Sequence, residues 1–279
     1  MSDIHPEQSE GGAAGRLARA VSRVLRDGGV AALVTLVEAP QDEARVGAKL
    51  LVEESGQRTG TTGDDAFDAA LDARAADFLA SRAEARTDAA REFAPAREEW
   101  RGARVLFERI EPEPHVVVCG AGHVGAALAR LAAAVGYRVT LIDDRADFVA
   151  RRRFPEAGIE LVAAENWADP LRRAVGAGRG VAVAVVTRGH NEDEECLRAV
   201  LSARPDYVGM IGSRRRTNIV LARLREAGCG EELLREVRAP VGLDLGAVTP
   251  EEVALAILAE IVAHRRGGAG RPLSAWRRE

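Results

Sequence analysis

From Glu113 onward, short, mostly apolar runs alternate with stretches of helical periodicity. The runs lie near 115–119, 137–142, 159–163, 180–186 and 206–211, and helical spacing near 123–135, 145–153, 167–175, 192–203, 214–226 and 249–265. Val181-Ala182-Val183-Ala184-Val185-Val186 carries no polar position, as expected of a strand buried on both faces. Such alternation predicts a parallel sheet with helices packed on both sides. Before Glu111 the pattern differs. Leu17 to Val24 reads as an amphipathic helix stopped at Gly28-Gly29, while Val30 to Val37, Ala48 to Val52 and Arg104 to Ile110 read as strands. Ser55-Gly56 makes a turn, and Asp64 to Ala80 has helical spacing through Phe67, Leu71 and Phe78. Glu111-Pro112-Glu113-Pro114 is an extended connector, because proline and the residue before it resist the helical region. The expected layout is a disordered tail at 1–13, a smaller mixed α/β domain at 14–111, a Rossmann-like doubly wound domain at 115–266, and a Gly- and Arg-rich tail at 267–279.

The first run of the second domain ends in Cys119-Gly120-Ala121-Gly122-His123-Val124-Gly125 and passes straight into a helical pattern. This is the dinucleotide-binding fingerprint in its proper context. Gly120 permits a tight turn, Gly122 lets a pyrophosphate approach the backbone, and Gly125 allows close helix–strand packing. The helix start offers unpaired N–H groups to an anion. Asp143, closing the next strand, stands where a carboxylate would bind a ribose 2′-hydroxyl. His123 occupies a slot that is usually small or apolar; it is either a ligand contact or a satisfied structural histidine.

Net charge of −4 argues against nucleic acid or an anionic membrane as a bulk partner. No apolar run approaches the roughly 18–20 residues of a membrane span, and the acidic, Gly-rich start lacks a signal-peptide core, so a cytoplasmic protein is expected. Three scattered cysteines suggest neither a disulfide framework nor a zinc site. Among 39 basic residues only Lys49 is a lysine. A chain so biased to arginine keeps a lysine either by chance at a surface strand or because a compact ammonium is needed.

Ligands of a doubly wound sheet sit where strand order reverses, at the carboxyl ends of the first and fourth strands. The fourth ends in Thr187-Arg188-Gly189-His190, placing Arg188 for a phosphate and His190 to titrate near neutrality. The alternative is that Asn191 caps a helix whose following acids, Glu192 to Glu195, complement its dipole. The fifth ends in Gly212-Ser213, donors for a second anionic group, followed by Arg214, Arg215 and Arg216, which oppose the helix dipole unless an anion is near. Gly242 and Asp244 either close the pocket or merely turn the chain before Thr249-Pro250-Glu251-Glu252, a capping signal.

Taken in order, several of these segments resemble the xanthine dehydrogenase accessory factor family (XdhC/CoxI type). The carriers are Val118 to Gly125, Asp143-Asp144-Arg145, Arg153-Phe154-Pro155, Thr187 to His190, Tyr207 to Arg215, Pro240 to Glu252, and Ala259-Glu260-Ile261. Gly47-Ala48-Lys49 matches the family's Gly-small-Lys strand start. The resemblance implies a chaperone that binds molybdenum cofactor, as molybdopterin or its dinucleotide, while a cysteine desulfurase-type partner supplies sulfur. It then delivers the cofactor to a molybdenum hydroxylase client. It also suggests a homodimer, as does the apolar helix at 251–263. On this reading Gly120, Gly122 and Gly125 hold phosphate, Asp143 the ribose, and Arg188, His190, Gly212 and Ser213 the remaining pocket, with Lys49 reaching in and no side chain catalytic. One departure stands out. The family's Gly-Gly-Cys-x-Glu element is here Gly60-Thr61-Thr62-Gly63-Asp64-Asp65-Ala66, so any role of that cysteine is not carried over. The fingerprint alone fits NAD equally well, leaving an NAD-dependent oxidoreductase or a nucleotide-sensing regulator as alternatives.

Overall fold

The structure, a computed structural model, describes residues 12–81 and 83–274. The chain divides into two compact units, Met1–Pro112 and Glu113–Glu279. Most of the tail expected at 1–13, and the end of that expected at 267–279, lie outside the described residues.

The first unit opens with α1 (Ala13–Arg26), followed by β1 (Ala31–Glu38), β2 (Lys49–Glu53), β3 (Arg58–Gly60), α2 (Asp65–Ala80), β4 (Ala85–Ala89) and β5 (Arg104–Ile110). Its antiparallel sheet runs β3-β2-β1-β5-β4. Side chains along β1 alternate between two layers. Ala32, Val34 and Leu36 join Phe67, Leu71 and Phe78 of α2, whereas Ala31 and Leu33 pack with Ala20 and Val24 of α1. Two strands went unread in the sequence. Three-residue β3 and the edge strand β4 (Ala-Arg-Thr-Asp-Ala) offer almost no apolar alternation.

The second unit contains β6 (His115–Cys119), α3 (His123–Ala134), β7 (Arg138–Asp143), β8 (Ile159–Ala163), α4 (Ala168–Val175), β9 (Val181–Val185), α5 (His190–Leu201), β10 (Tyr207–Met210), α6 (Arg214–Glu226), α7 (Glu231–Glu236) and α8 (Pro250–Arg266). All pairings of its sheet are parallel, in the order β10-β9-β6-β7-β8. Val116 and Val118 face the layer of α3 and α8, whereas Val117 and Cys119 face α4, α5 and α6. Burial on both faces explains the apolar runs of the central strands β6 and β9, which are buried throughout. Strand order reverses between β6 and β9, which places the crevice at their carboxyl ends. The helix expected at 145–153 is instead two 3-10 turns, Ala146–Val149 and Arg151–Arg153. There the Arg151 and Arg153 guanidiniums cap carbonyls of Phe154 and Phe148.

The start of α8 carries the predicted capping box: Thr249 Oγ1 accepts from the Glu252 amide, and Glu252 accepts from the Thr249 amide. Ala254, Ile257, Leu258 and Ile261 of this helix are spent on the unit's own core. Its apolar character therefore has an intramolecular explanation.

Candidate functional site

The glycine loop is built by sterics. Gly120 has φ 107°, and a β-carbon there would sit 2.6 Å from the Val186 carbonyl oxygen. At Gly125 a β-carbon would lie 1.8 Å from the Gly120 carbonyl oxygen, so α3 can seat against β6 only with glycine at this position. Gly122 differs: nothing approaches within 4 Å of its absent β-carbon. It caps α3 without a side-chain acceptor, leaving amides of the first turn open to an anion. His123 opens α3 and is exposed.

Beneath the loop, Cys119 and Cys196 are fully buried in one apolar layer. Burial, with the Cys119 thiol alongside, pushes the Cys196 thiol well above the usual range, so it stays protonated.

Asp143 is only 1% exposed. One oxygen accepts from the Ala121 amide at 2.7 Å and Arg145 Nη2 at 3.0 Å, and the other from the Arg145 amide at 2.9 Å and Nε at 2.8 Å. Burial raises the Asp143 pKa, but the hydrogen bonds from Arg145 and the loop amide outweigh it and hold the carboxyl below its ordinary range. The residue read as a ribose ligand thus ties the glycine loop to β7. Arg145 is held in turn over the Phe148 ring, 3.5 Å from its centroid.

The next residue takes the exposed position. Asp144 pairs with Arg188 in a bidentate bridge of 2.7 and 2.6 Å. Asp144 follows β7 and Arg188 lies just past β9, and these strands flank β6, so the bridge crosses above the carboxyl end of the glycine-loop strand. The Arg188 side chain remains 48% exposed, and Glu192 approaches it at 3.3 Å. A solvent-facing pair of this kind contributes only ~0–1 kcal/mol.

His190 is exposed at the first position of α5. Asn191 does not cap this helix: Gly189 occupies the cap, and Asn191 Oδ1 accepts from Arg223 instead. The acids after it have separate tasks. Asp193 is fully buried, accepts from Thr187 Oγ1 at 2.6 Å and pairs with Arg216 Nε at 2.6 Å. Arg216 also donates to the Thr187 carbonyl at 3.2 Å. The anion expected near the three arginines is therefore, for Arg216, one of the chain's own carboxylates. Burial raises the Asp193 pKa despite these partners. Ser213 caps α6 by accepting from the Arg216 amide at 3.3 Å, and a β-carbon on Gly212 would touch the Arg216 side chain at 3.2 Å.

Gly242 donates to Glu260 at 2.6 Å, as does the Tyr207 hydroxyl at 2.9 Å, so this segment is stapled to α8; Asp244 is exposed. In the first unit, Lys49 starts β2 and donates to Thr35 Oγ1 at 2.7 Å. The Thr61-Thr62 loop is organised by buried Asp68, which accepts from both hydroxyls at 2.6 Å and from the Thr62 amide at 2.9 Å. Asp64 caps α2 and accepts from Trp100 Nε1 at 2.9 Å, on the wall of a cavity of about 320 Å³ that Arg45 and Gly63 also line.

Thr187, Asp193 and Arg216 were not singled out by sequence reasoning as a unit. Their only signal was an acid and an arginine opening successive helices, which becomes meaningful once the parallel sheet sets those helix starts side by side.

A parallel sheet with reversed strand order, a glycine turn and open helix amides defines a Rossmann domain equipped for a phosphorylated ligand. Residues 116–261 match the model of the XdhC Rossmann domain, and residues 24–88 that of the XdhC and CoxI family. The chain belongs to this family. It is 32% identical over 170 residues to the uncharacterized protein YqeB of Escherichia coli (strain K12), covering 61% of this chain and 31% of that protein. It is 30% identical over 162 residues to a probable xanthine dehydrogenase subunit of Bacillus subtilis (strain 168), covering 58% and 46%. A stretch of 84 residues is 34% identical to the molybdenum cofactor insertion chaperone PaoD of Escherichia coli (strain K12), covering 30% and 26%. The chain spans less than half the length of each of these relatives. No described helix is long and apolar enough to cross a membrane.

Proposed function

We propose that this protein is a molybdenum cofactor chaperone. It binds the cofactor through the glycine loop, holds it while a cysteine desulfurase-type partner adds the terminal sulfur, and delivers it to a xanthine dehydrogenase-type molybdenum hydroxylase. The observation that carries this reading is the open cradle at Gly122 in a chain that matches the family in both halves. A phosphate or pyrophosphate fits there, because amides of the α3 start face open space and no side chain caps them. The protein's own contribution is binding and orientation. Arg188 adds a guanidinium at the mouth, and the Asp143–Ala121 bond fixes the loop that presents the amides. The relative named as an insertion chaperone supports the delivery step.

Reconstitution tests the proposal. Apo-hydroxylase is supplied with molybdenum cofactor and a sulfur source, with and without the chain, and its activation is followed. Faster or more complete activation is expected with the chain present. Unchanged activation, combined with saturable NAD binding and turnover of an alcohol or aldehyde, would transfer the site to redox chemistry.

A further inference from the structure

We propose that Asp144 and Arg188 form a strap over the glycine loop that selects ligands carrying a ribonucleoside 5′-diphosphate. This rests on the glycine loop being the ligand site. The acid ordinarily assigned to the ribose, Asp143, has both oxygens filled by four donors and is sealed from solvent. Asp144 is the neighbouring carboxylate with access, 27% exposed, and its closest partner is Arg188. Because the bridge joins the residues following β7 to those following β9, it lies over the end of β6, above the amides that receive phosphate.

The chemistry is an exchange of partners. An incoming diphosphate offers the planar Arg188 guanidinium a pair of phosphate oxygens in place of the Asp144 carboxylate. Asp144, released, keeps only the longer Arg145 contact at 3.8 Å, and a ribose diol supplies two close donors. Inorganic pyrophosphate satisfies Arg188 but leaves Asp144 beside the bound anion with only Arg145, 3.8 Å away and already committed to Asp143, to offset its charge. Glu192, already within 3.3 Å of Arg188, adds to that repulsion. The pair thereby penalises bare phosphates and rewards a phosphate with a ribose attached. For the proposed cargo, this favours a dinucleotide form over one with a single phosphate.

Isothermal titration calorimetry on the full chain tests the strap with three probes: pyrophosphate, ADP and CDP. The wild type is expected to bind at least one nucleotide about tenfold or more tightly than pyrophosphate. Asp144→Ala should reverse this preference, weakening the nucleotide while strengthening pyrophosphate, because Arg188 is freed. Arg188→Ala should weaken both. A 2′,3′-dideoxy nucleotide should bind the wild type no better than pyrophosphate does. Improved anion binding on removal of a carboxylate, with loss of the ribose preference, is a change in rank order that general destabilisation does not produce. The strap is wrong if pyrophosphate matches both nucleotides on the wild type, or if Asp144→Ala leaves their ranking intact. Retention of molybdenum cofactor, lost in Gly122→Val, would then still stand for the loop; if that too is unaffected, the site itself is misassigned.

Discussion

Asp143 and Asp144 are adjacent in sequence and opposite in circumstance. One is buried and saturated by a loop amide and its own neighbour's guanidinium; the other meets an arginine in solvent. Removing Asp143 leaves the Ala121 amide and Arg145 without their acceptor, so Asp143→Ala should cost about 2–3 kcal/mol in chemical denaturation. Asp144→Ala should change stability by less than about 1 kcal/mol. Sequence spacing located Asp143 correctly at a strand end, but spacing carries no account of which lone pairs the fold has already filled. Lys49 poses a related question in the first unit. Its bond to Thr35 is one an arginine can make, so if the lysine was kept for its compact charge toward the cargo, Lys49→Arg should reduce cofactor retention nearly as much as Lys49→Ala. Full retention in the arginine variant would assign Lys49 to the surface.

At the level of elements, the opposite end of the parallel sheet holds a titrating network. His115 begins β6 and donates to Thr140 at 2.9 Å, and Thr140 donates to Glu160 at 2.8 Å. Burial, and secondarily the Arg138 charge, lowers the His115 pKa to about 4, against the opposing pull of Glu160. The folded state therefore keeps this imidazole neutral where the unfolded chain takes up a proton. Stability should hold above pH 6.5, fall as pH drops from 6.5 toward 4, and lose at most roughly 3 kcal/mol from this group. Equilibrium denaturation of His115→Gln across that window should show a flatter profile; an unchanged slope would place the titration elsewhere. Elements of this sheet were legible because its strands are rich in apolar residues, continuously so in β9, and each long helix has its period. Of those that escaped notice, β4 lacks apolar alternation, whereas β3 and α7 are short: Glu231–Glu236 completes fewer than two turns and buries only Leu234. The Asn191 cap failed for a different reason. The chain turns two residues earlier at Gly189, and tertiary contacts engage the acids that follow, as Glu195 does by accepting from the Trp167 amide.

At the scale of the molecule, each unit closes its own core, and among the described residues the clusters of one contain no residue of the other. Residues 113–279 produced alone are accordingly expected to unfold in one cooperative transition; a molten product without a sharp transition would show that the first unit is needed. Fold class was readable from alternation and from the glycine run, because both are imposed by local sterics and two-sided burial. The ligand was not, since a bare-amide cradle accepts any phosphate, and distinguishing guests depends on side chains that meet only in three dimensions. The most direct test of the chaperone role is the molybdenum and pterin content of the chain purified from cells that make the cofactor, compared with Gly122→Val. A β-carbon at this position meets no atom within 4 Å and φ is ordinary, so the variant should fold while its side chain occupies the space proposed for the anion. Clear retention by the wild type and at least a tenfold loss in the variant are expected; equal cofactor content in both proteins, or none in either, would contradict that role.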